Sequence, residues 1–264
     1  MNRDLVGGRA LNWTLTGPTR SDGVAIVLLH EALGTIALWR DFPQALADAT
    51  GLPVLTYERH GHGSSEQPLQ ARDAAYLAYE GEEILPRLLS LAGITRPVLV
   101  GHSDGGTIAL HYAARFPGKP LAVVTMAAHV FVEEETLAGI RAAVTAYDDG
   151  LRSRLEKYHG GNTDWVFAAW SKSWLAPWYR DWNIEAILPQ IACPTLVIQG
   201  EGDEYGTAAQ VDAICRGIGA TARPLLLSDC AHQPHREARE AVLSAIHAFL
   251  REQVPTDQGF APGT

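Results

Sequence analysis

The sequence has 264 residues, of which 47% are hydrophobic and 19% are charged. This composition is typical of a compact globular chain with room for one large domain and an insertion. A formal charge of −9 and the lack of basic runs argue against a nucleic-acid or anionic-membrane partner. Three cysteines without a C-x-x-C spacing, and no basic-then-apolar leader, favour the cytoplasm over secretion. The longest apolar runs are of strand length, so we expect no membrane span.

Apolar runs of strand length alternate with helical stretches along most of the chain, which is typical of a mostly parallel sheet covered by helices on both faces. The pattern predicts seven strands, at residues 11–16, 24–30, 52–58, 97–102, 121–128, 194–200 and 223–229. It predicts five helices between and after these strands, at residues 39–50, 74–92, 105–116, 207–217 and 236–251. The sequence therefore predicts the α/β class.

Residues 130–190 break this alternation, because they contain no good strand candidate and hold five of the seven tryptophans. We interpret this segment as a helical cap inserted into the core. Residues 1–129 and 191–253 then form the core. Residues 254–264 are rich in Pro, Gly and Asp without periodicity, and we expect a flexible tail there.

The pattern G-x-S-x-G occupies positions 101–105, directly after the strand at 97–102 and before a helix. A serine in so sharp a turn needs neighbours without side chains, and Gly101 and Gly105 meet that need. The hydroxyl of Ser103 then stands above the sheet at a helix N-terminus, where backbone N–H groups stabilise a developing oxyanion. Ser103 is therefore the predicted nucleophile.

A serine nucleophile needs a base, and the base needs an acid that holds it in the correct tautomer. In this architecture the chain order is serine, acid, histidine. We assign His232 as the base, because it follows the last predicted strand and precedes the last helix. Its nearest rival, His235, is expected to be a solvated residue at the helix start. Asp203 follows the strand at 194–200 and is the predicted acid, with Glu204 as the alternative.

The loop after the second predicted strand is expected to supply one N–H group of an oxyanion hole. We assign the two donors to the backbones of Ala32, with Leu33 as its alternative, and of Asp104. His60 and His62 share a glycine-rich turn. No cysteine or carboxylate joins them at a ligand spacing, so we predict no metal site.

Together these motifs resemble the α/β-hydrolase superfamily. The residues that carry the resemblance are His30-Glu31, E-R-H-G-H-G-S-S at 58–65, G-H-S-D-G-G at 101–106, Gly200 to Asp203, and Ala231-His232. The resemblance implies an eight-stranded sheet, a variable cap after the sixth strand, and no cofactor. It also implies that a serine nucleophile excludes the aspartate-dependent haloalkane dehalogenases and most epoxide hydrolases. Glu31 and Ala231 stand where the family commonly has glycine.

Tryptophans recur every four residues in the cap, as on one face of a helix, but Pro177 must kink or divide that helix. We expect this stripe to pack the cap onto the core and to turn one or two indoles toward the substrate. The residues predicted to line the substrate pocket are Leu33, His102, Trp170, Trp174 and Trp178. The expected ligand is a small molecule with an apolar or aromatic group.

Three functions fit these motifs. The leading hypothesis is hydrolysis of a small carboxylic ester or lactone through an acyl-enzyme. The same triad would also serve a C–C bond hydrolase that acts on a vinylogous diketone from aromatic degradation. A ligand-binding protein on a hydrolase scaffold is the third, and the presence of every triad member argues against it.

Overall fold

The computed structural model describes residues 1–69 and 71–253, and its centre is an eight-stranded sheet. The strands are β1 Asn2–Val6, β2 Arg9–Thr16, β3 Val24–Leu29, β4 Val54–Tyr57, β5 Arg96–His102, β6 Ala122–Met126, β7 Thr195–Gly200 and β8 Ala222–Leu227. Their order across the sheet is β1-β2-β4-β3-β5-β6-β7-β8. β2 is antiparallel to both of its neighbours, and the remaining pairs are parallel.

The central strands are buried on both faces, which explains their continuous runs of Val, Leu and Ile. All six residues of β3 are buried. Val27 points into the apolar cluster on one face of the sheet, and Leu28 points into the cluster on the other. Because parallel strands end at the same edge, the loops after β3, β5, β7 and β8 lie together at the carboxyl edge of the sheet.

Helices cover both faces of this sheet. They are α1 Phe42–Thr50, α2 Tyr76–Tyr79, α3 Leu85–Leu91, α4 Asp104–Arg115, α5 Glu134–Thr145, α6 Arg152–His159, α7 Thr163–Trp174, α8 Ala208–Ile218, α9 Pro234–Glu237 and α10 Arg239–Gln253. On one face, α1 and α10 bury Phe42, Leu46 and Ile246 against the strands. On the other face, α3, α4 and α8 bury their apolar sides. The predicted α/β fold with an eight-stranded sheet is confirmed.

Two elements differ from the sequence pattern. The pattern predicts seven strands, and the one it misses is β1, an edge strand that buries only Val6 of its five residues. Hydrophobic periodicity gives no signal for such a strand. The helix predicted at 74–92 is divided by a π-helical turn at Glu80–Ile84. Within that turn, Gly81 packs directly against the backbone of α4.

The segment between β6 and β7 is helical. Its three helices, α5 to α7, are joined by short turns, and an isolated bridge pairs Phe131 with Asn183. Helix α7 ends at Trp174, and a separate 3₁₀ turn, Pro177–Tyr179, follows it. The tryptophan stripe is therefore divided at the proline, as its sequence requires.

Helix α10 ends the described part of the chain at Gln253. The tail predicted at 254–264 lies outside the described residues. Within the described residues, no helix is both long enough and apolar enough to cross a membrane.

Candidate active site

Ser103 lies in a sharp turn between β5 and α4, at the carboxyl edge of the sheet. Its backbone has φ 53° and ψ −120°, a conformation that is costly for a residue with a side chain. A Cβ atom on Gly101 would overlap the backbone of Gly105, and one on Gly105 would overlap the carbonyl of Leu29. The Ser103 N–H donates to the carbonyl of Met126 at 2.8 Å. The two glycines and this contact with β6 therefore hold the strained turn in place.

The structure brings Ser103, His232 and Asp203 into one hydrogen-bonded line. The Oγ of Ser103 lies 3.1 Å from Nε2 of His232. On the opposite side of the ring, Nδ1 of His232 lies 2.8 Å from Oδ1 of Asp203. The carboxylate is fully buried, whereas the imidazole is 12% exposed. This is the arrangement in which an imidazole can take a proton from a hydroxyl while a carboxylate holds its tautomer.

The surroundings of Asp203 favour it over Glu204 as the partner of the histidine. The carboxylate of Asp203 accepts hydrogen bonds from Nε2 of Gln199 at 2.7 Å and from the N–H of Tyr205 at 2.8 Å. These donors fix its orientation and stabilise its charge. Glu204 is exposed and, among the described residues, makes no hydrogen bond to His232.

His235 does not reach the serine, and the expectation that it is solvated is wrong. Its ring is only 6% exposed. Helix α9 turns the ring of His235 inward, so that its centroid lies 4.8 Å from the ring centroid of Trp39 and 5.7 Å from that of Phe42. This burial lowers the pKa of His235 to about 3.

The histidines around the serine differ in proton affinity. Burial alone would lower the pKa of His232, but the hydrogen bond and charge of Asp203 outweigh it, so this pKa is raised above 6.5. Burial lowers the pKa of His102 and of His129. Nε2 of His102 lies 2.7 Å from the carbonyl of His232, a distance at which it donates a hydrogen bond and holds the backbone of the base. His232 is therefore the imidazole among these that is suited to accept a proton.

The two donors predicted to form an oxyanion hole are the backbone N–H groups of Ala32 and Asp104. Among the described residues, neither the Ala32 N–H nor the Asp104 N–H has a hydrogen-bond partner. The Leu33 N–H donates to the carboxylate of Glu31 at 2.6 Å. The Leu33 N–H is therefore already hydrogen-bonded within its own loop, and the Ala32 N–H is the better candidate for an oxyanion donor.

Arg59 forms hydrogen bonds next to both predicted oxyanion donors. One guanidinium nitrogen donates to the carbonyl of Glu31 at 2.8 Å, and the other donates to the carboxylate of Asp104 at 3.3 Å. His30 Nδ1 also lies 2.7 Å from the Glu31 carbonyl. That carbonyl and the Ala32 N–H belong to one peptide and point in opposite directions. Holding the carbonyl therefore fixes the direction in which the N–H points.

The ion pair of Arg59 and Asp104 is almost completely buried, with side-chain exposures of 1% and 2%. Burial acts to lower the pKa of Arg59, but Asp104, with smaller contributions from Glu80 and two tyrosines, outweighs it and raises the pKa, so the guanidinium stays charged. The Tyr76 hydroxyl donates to Asp104 at 3.2 Å, and the indole of Trp174 donates to that hydroxyl at 3.0 Å. A chain of hydrogen bonds thus runs from helix α7 to the turn of the serine.

A cavity of about 390 Å³ lies above the serine hydroxyl, between the sheet edge and helices α5 to α7. Of the five residues predicted to line it, Leu33, His102, Trp170 and Trp174 do so. The prediction for Trp178 is wrong. This residue is 51% exposed, because α7 ends at Trp174 and the following turn carries the indole away from the stripe.

The sequence of this chain matches a known protein family. Residues 24–177, more than half of the chain, match the family model of the alpha/beta hydrolase fold. The chain belongs to the α/β-hydrolase family. The resemblance inferred from the motifs is confirmed, and the protein is accordingly a hydrolase with a small-molecule substrate.

Relatives and solved structures agree with this assignment. The hydrolase is 26% identical over 257 residues to the serine hydrolase BPHL of Homo sapiens, a match that covers 93% of this chain and 84% of that protein. It superposes on the enol-lactonase of Burkholderia xenovorans LB400 with a TM-score of 0.76 at 22% identity, covering 95% and 100% of the two chains. For the meta-cleavage product hydrolase of Pseudomonas fluorescens IP01 the TM-score is 0.76 at 17% identity, covering 96% and 98%. These two likenesses show the fold.

The cavity of the hydrolase also contains residues that the sequence analysis does not assign to it. The ring centroid of Tyr205 lies 4.7 Å from that of His232, and His129 lies 6.0 Å from the same ring. His129 directly follows the strand predicted at residues 121–128, so its place at the carboxyl edge could have been predicted from that strand alone. Ile140 and Leu155, from the cap helices, also line the cavity. No sequence signal indicates which face of those helices points inward.

The glycine-rich turn of His60 and His62 contacts the loop that follows β3. Nε2 of His62 lies 3.0 Å from the carbonyl of Ala32, and its Nδ1 lies 3.1 Å from the carbonyl of His60. Burial lowers the pKa of His62. In the part of the hydrolase that the structure describes, no group of three or more His, Cys, Asp or Glu could hold a metal ion.

Proposed function

We propose that the protein is a serine hydrolase that cleaves a small carboxylic ester or lactone through an acyl-enzyme. The observation that carries this proposal is the hydrogen-bonded line of Asp203, His232 and Ser103 at the floor of a cavity. The similarity to a serine hydrolase over 93% of the chain supports it. Ser103 is the nucleophile, His232 is the general base, and Asp203 orients the base.

The reaction has two steps. The Oγ of Ser103 attacks the substrate carbonyl while His232 takes the hydroxyl proton, and the N–H groups of Ala32 and Asp104 bind the oxyanion that forms. His232 then gives its proton to the leaving alcohol, and the acyl group stays on the serine. In the second step, a water molecule attacks the acyl group while His232 takes its proton. His232 then returns this proton to the Oγ of Ser103 as the bond between the acyl group and the serine breaks, which releases the carboxylic acid and restores the serine.

The cavity favours a small substrate with an apolar body. Its volume of about 390 Å³ lies in the range of small-molecule sites. The cap side is lined by Ile140, Leu155 and Trp170, and the core side by Leu33 and Leu38. These side chains provide dispersion contacts and exclude water, which strengthens the electrostatic interactions around the serine.

Two measurements on Ser103→Ala test the nucleophile. We expect the variant to lose hydrolysis of p-nitrophenyl butyrate and to lose labelling by a fluorophosphonate probe, with an unchanged circular dichroism spectrum. Ser228→Ala, a substitution at an exposed serine, is the matched control and should keep both properties. Turnover retained by a folded Ser103→Ala protein would refute the assignment.

Substrate panels separate the other two functions from this one. A C–C bond hydrolase would cleave a vinylogous diketone ring-fission product far faster than any simple ester. A binding protein would neither label with the fluorophosphonate nor turn over either class. Turnover of short esters together with labelling of Ser103 is the result that supports the proposal.

A further inference from the structure

Three exposed arginines line the cavity, and we call the part of the cavity that they form its mouth. Arg40 lies in the loop between β3 and α1, Arg154 lies on α6, and Arg236 lies on α9. All three side chains are exposed, and none forms a salt bridge with a carboxylate in the described part of the chain.

The fold directs Arg154 toward the cavity. Leu151, Arg154, Leu155 and Tyr158 all line it, and their spacing of i, i+3, i+4 and i+7 places them on one face of a helix. Arg152 lies outside this set and forms a salt bridge with Asp164 at 2.8 Å. The same helix therefore satisfies one guanidinium within the protein and presents the other, unpaired, above the substrate space.

Asp41 and Glu237 share a neighbouring pocket with Arg40 and Arg236, but neither carboxylate lines the cavity itself. The carboxylates that line the cavity are Glu31 and Asp104, and both belong to the floor around the serine. Glu31 accepts the N–H of Leu33, and Asp104 is paired with Arg59. Fixed positive charge at the entrance of a low-dielectric cleft attracts anions and raises their local concentration.

The geometry points to a substrate that carries a carboxylate. We infer that Arg154, together with Arg40 and Arg236, binds a terminal carboxylate while the ester or lactone carbonyl lies at Ser103. An apolar segment joins the two groups, because Leu155 and Ile140 lie among the residues that line the cavity. This inference rests on the proposed ester or lactone hydrolysis and names its substrate class.

Matched chromogenic esters test the carboxylate directly. The mono-p-nitrophenyl esters of adipic and suberic acid are compared with p-nitrophenyl hexanoate and octanoate, which have the same chain lengths and lack the charge. We expect Arg154→Gln to lower kcat/KM for the anionic esters about tenfold, because a charge-assisted hydrogen bond is lost. For the neutral esters, kcat/KM should change less than about twofold.

Lys157→Gln is the control, since it removes one positive charge from the same helix at an exposed position that does not line the cavity. It should leave all four esters unaffected. Arg40→Gln and Arg236→Gln should act in the same direction as Arg154→Gln. Raising the salt concentration should lower the turnover of the anionic esters by the wild-type protein, and should lower it less in the Arg154→Gln variant, which keeps Arg40 and Arg236.

The outcomes separate the two proposals. Equal effects of Arg154→Gln on charged and neutral esters, or no effect on either, would overturn the carboxylate site while leaving ester hydrolysis intact. If no ester is cleaved, the proposed hydrolysis fails, and calorimetric titration of the Ser103→Ala protein tests the site alone. Monomethyl adipate should then bind more tightly than methyl hexanoate, and Arg154→Gln should remove the difference. Equal affinities would overturn the inference.

Discussion

Replacing Arg59 by methionine removes a guanidinium that is 1% exposed and that contacts two separate parts of the site. The carboxylate of Asp104 would remain buried with the Tyr76 hydroxyl as its remaining side-chain donor. Removing one partner of a buried ion pair costs about 3–5 kcal/mol, since an uncompensated charge remains. Methionine fills a similar volume, so little cavity energy is added. We expect the free energy of unfolding to fall by about 4 kcal/mol.

Urea denaturation, followed by tryptophan fluorescence, measures this loss, and a double-mutant cycle with Asp104→Asn isolates the pair. Asparagine keeps an acceptor for Tyr76 while removing the charge. The double variant should be more stable than the sum of the two single losses predicts, with a coupling energy of at least about 2 kcal/mol. Arg87→Met, at an exposed salt bridge, should change stability by less than about 0.5 kcal/mol.

The Arg59→Met variant should also lose activity, because the Glu31 carbonyl is released and the Ala32 N–H is no longer held toward the oxyanion. We expect kcat for p-nitrophenyl butyrate to fall at least about tenfold, and by no more than the 10²–10³-fold cost of losing an oxyanion donor completely. KM should change little, since the contact acts on the transition state. Additive stability losses in the cycle, together with an unchanged kcat, would refute this account of Arg59.

Further predictions concern the acid Asp203, the buried His235 and the strained turn of Ser103. Asp203→Asn should lower kcat about 10⁴-fold, as expected for a base held in the wrong tautomer, whereas Glu204→Gln should stay within about threefold. Equal losses in steady-state assays would contradict the choice of acid. His235 stays neutral in the folded protein, because burial lowers its pKa to about 3, while the unfolded chain takes up this proton below about pH 6.5. The free energy of unfolding should therefore fall as the pH drops from 7.5 to 5.5. Urea denaturation should show that this fall is about 1 kcal/mol smaller in the His235→Phe variant. An unchanged pH dependence in the variant would contradict this. Gly105→Ala should abolish activity and lower the melting temperature, because its Cβ would overlap the β3 backbone. Gly161→Ala, where nothing lies within 4 Å of the new atom, should do neither.

Much of the fold and of the candidate site could be predicted from the sequence, because the signals are local and ordered. The glycines around Ser103 mark a turn that few other residues allow. The positions of Asp203 and His232 follow from the strands that precede them, and parallel strands end at one edge. Each of these inferences needs only a short stretch of chain and the direction of a strand.

The remaining features depend on contacts between distant parts of the chain. Arg59 and Asp104 are 45 positions apart, and nothing near either residue indicates a buried ion pair. Trp178 follows the spacing of its neighbours, yet the helix that would place it in the cavity ends before it. The inward face of α6, with Arg154, is set by packing against the other cap helices and not by a polar-apolar pattern that could be read in advance.

The hydrogen bond from the Trp174 indole to Tyr76 ties the helical cover of the cavity to the anchorage of the reactive serine. Any movement of α7 away from the core has to break this hydrogen bond, and the Tyr76 hydroxyl, which donates to Asp104, would then lose the indole that helps to hold it. Opening the cavity to admit a ligand would therefore break a hydrogen bond that also supports the turn of Ser103. A wide outward movement of α7 would therefore loosen the turn that holds the Ser103 hydroxyl.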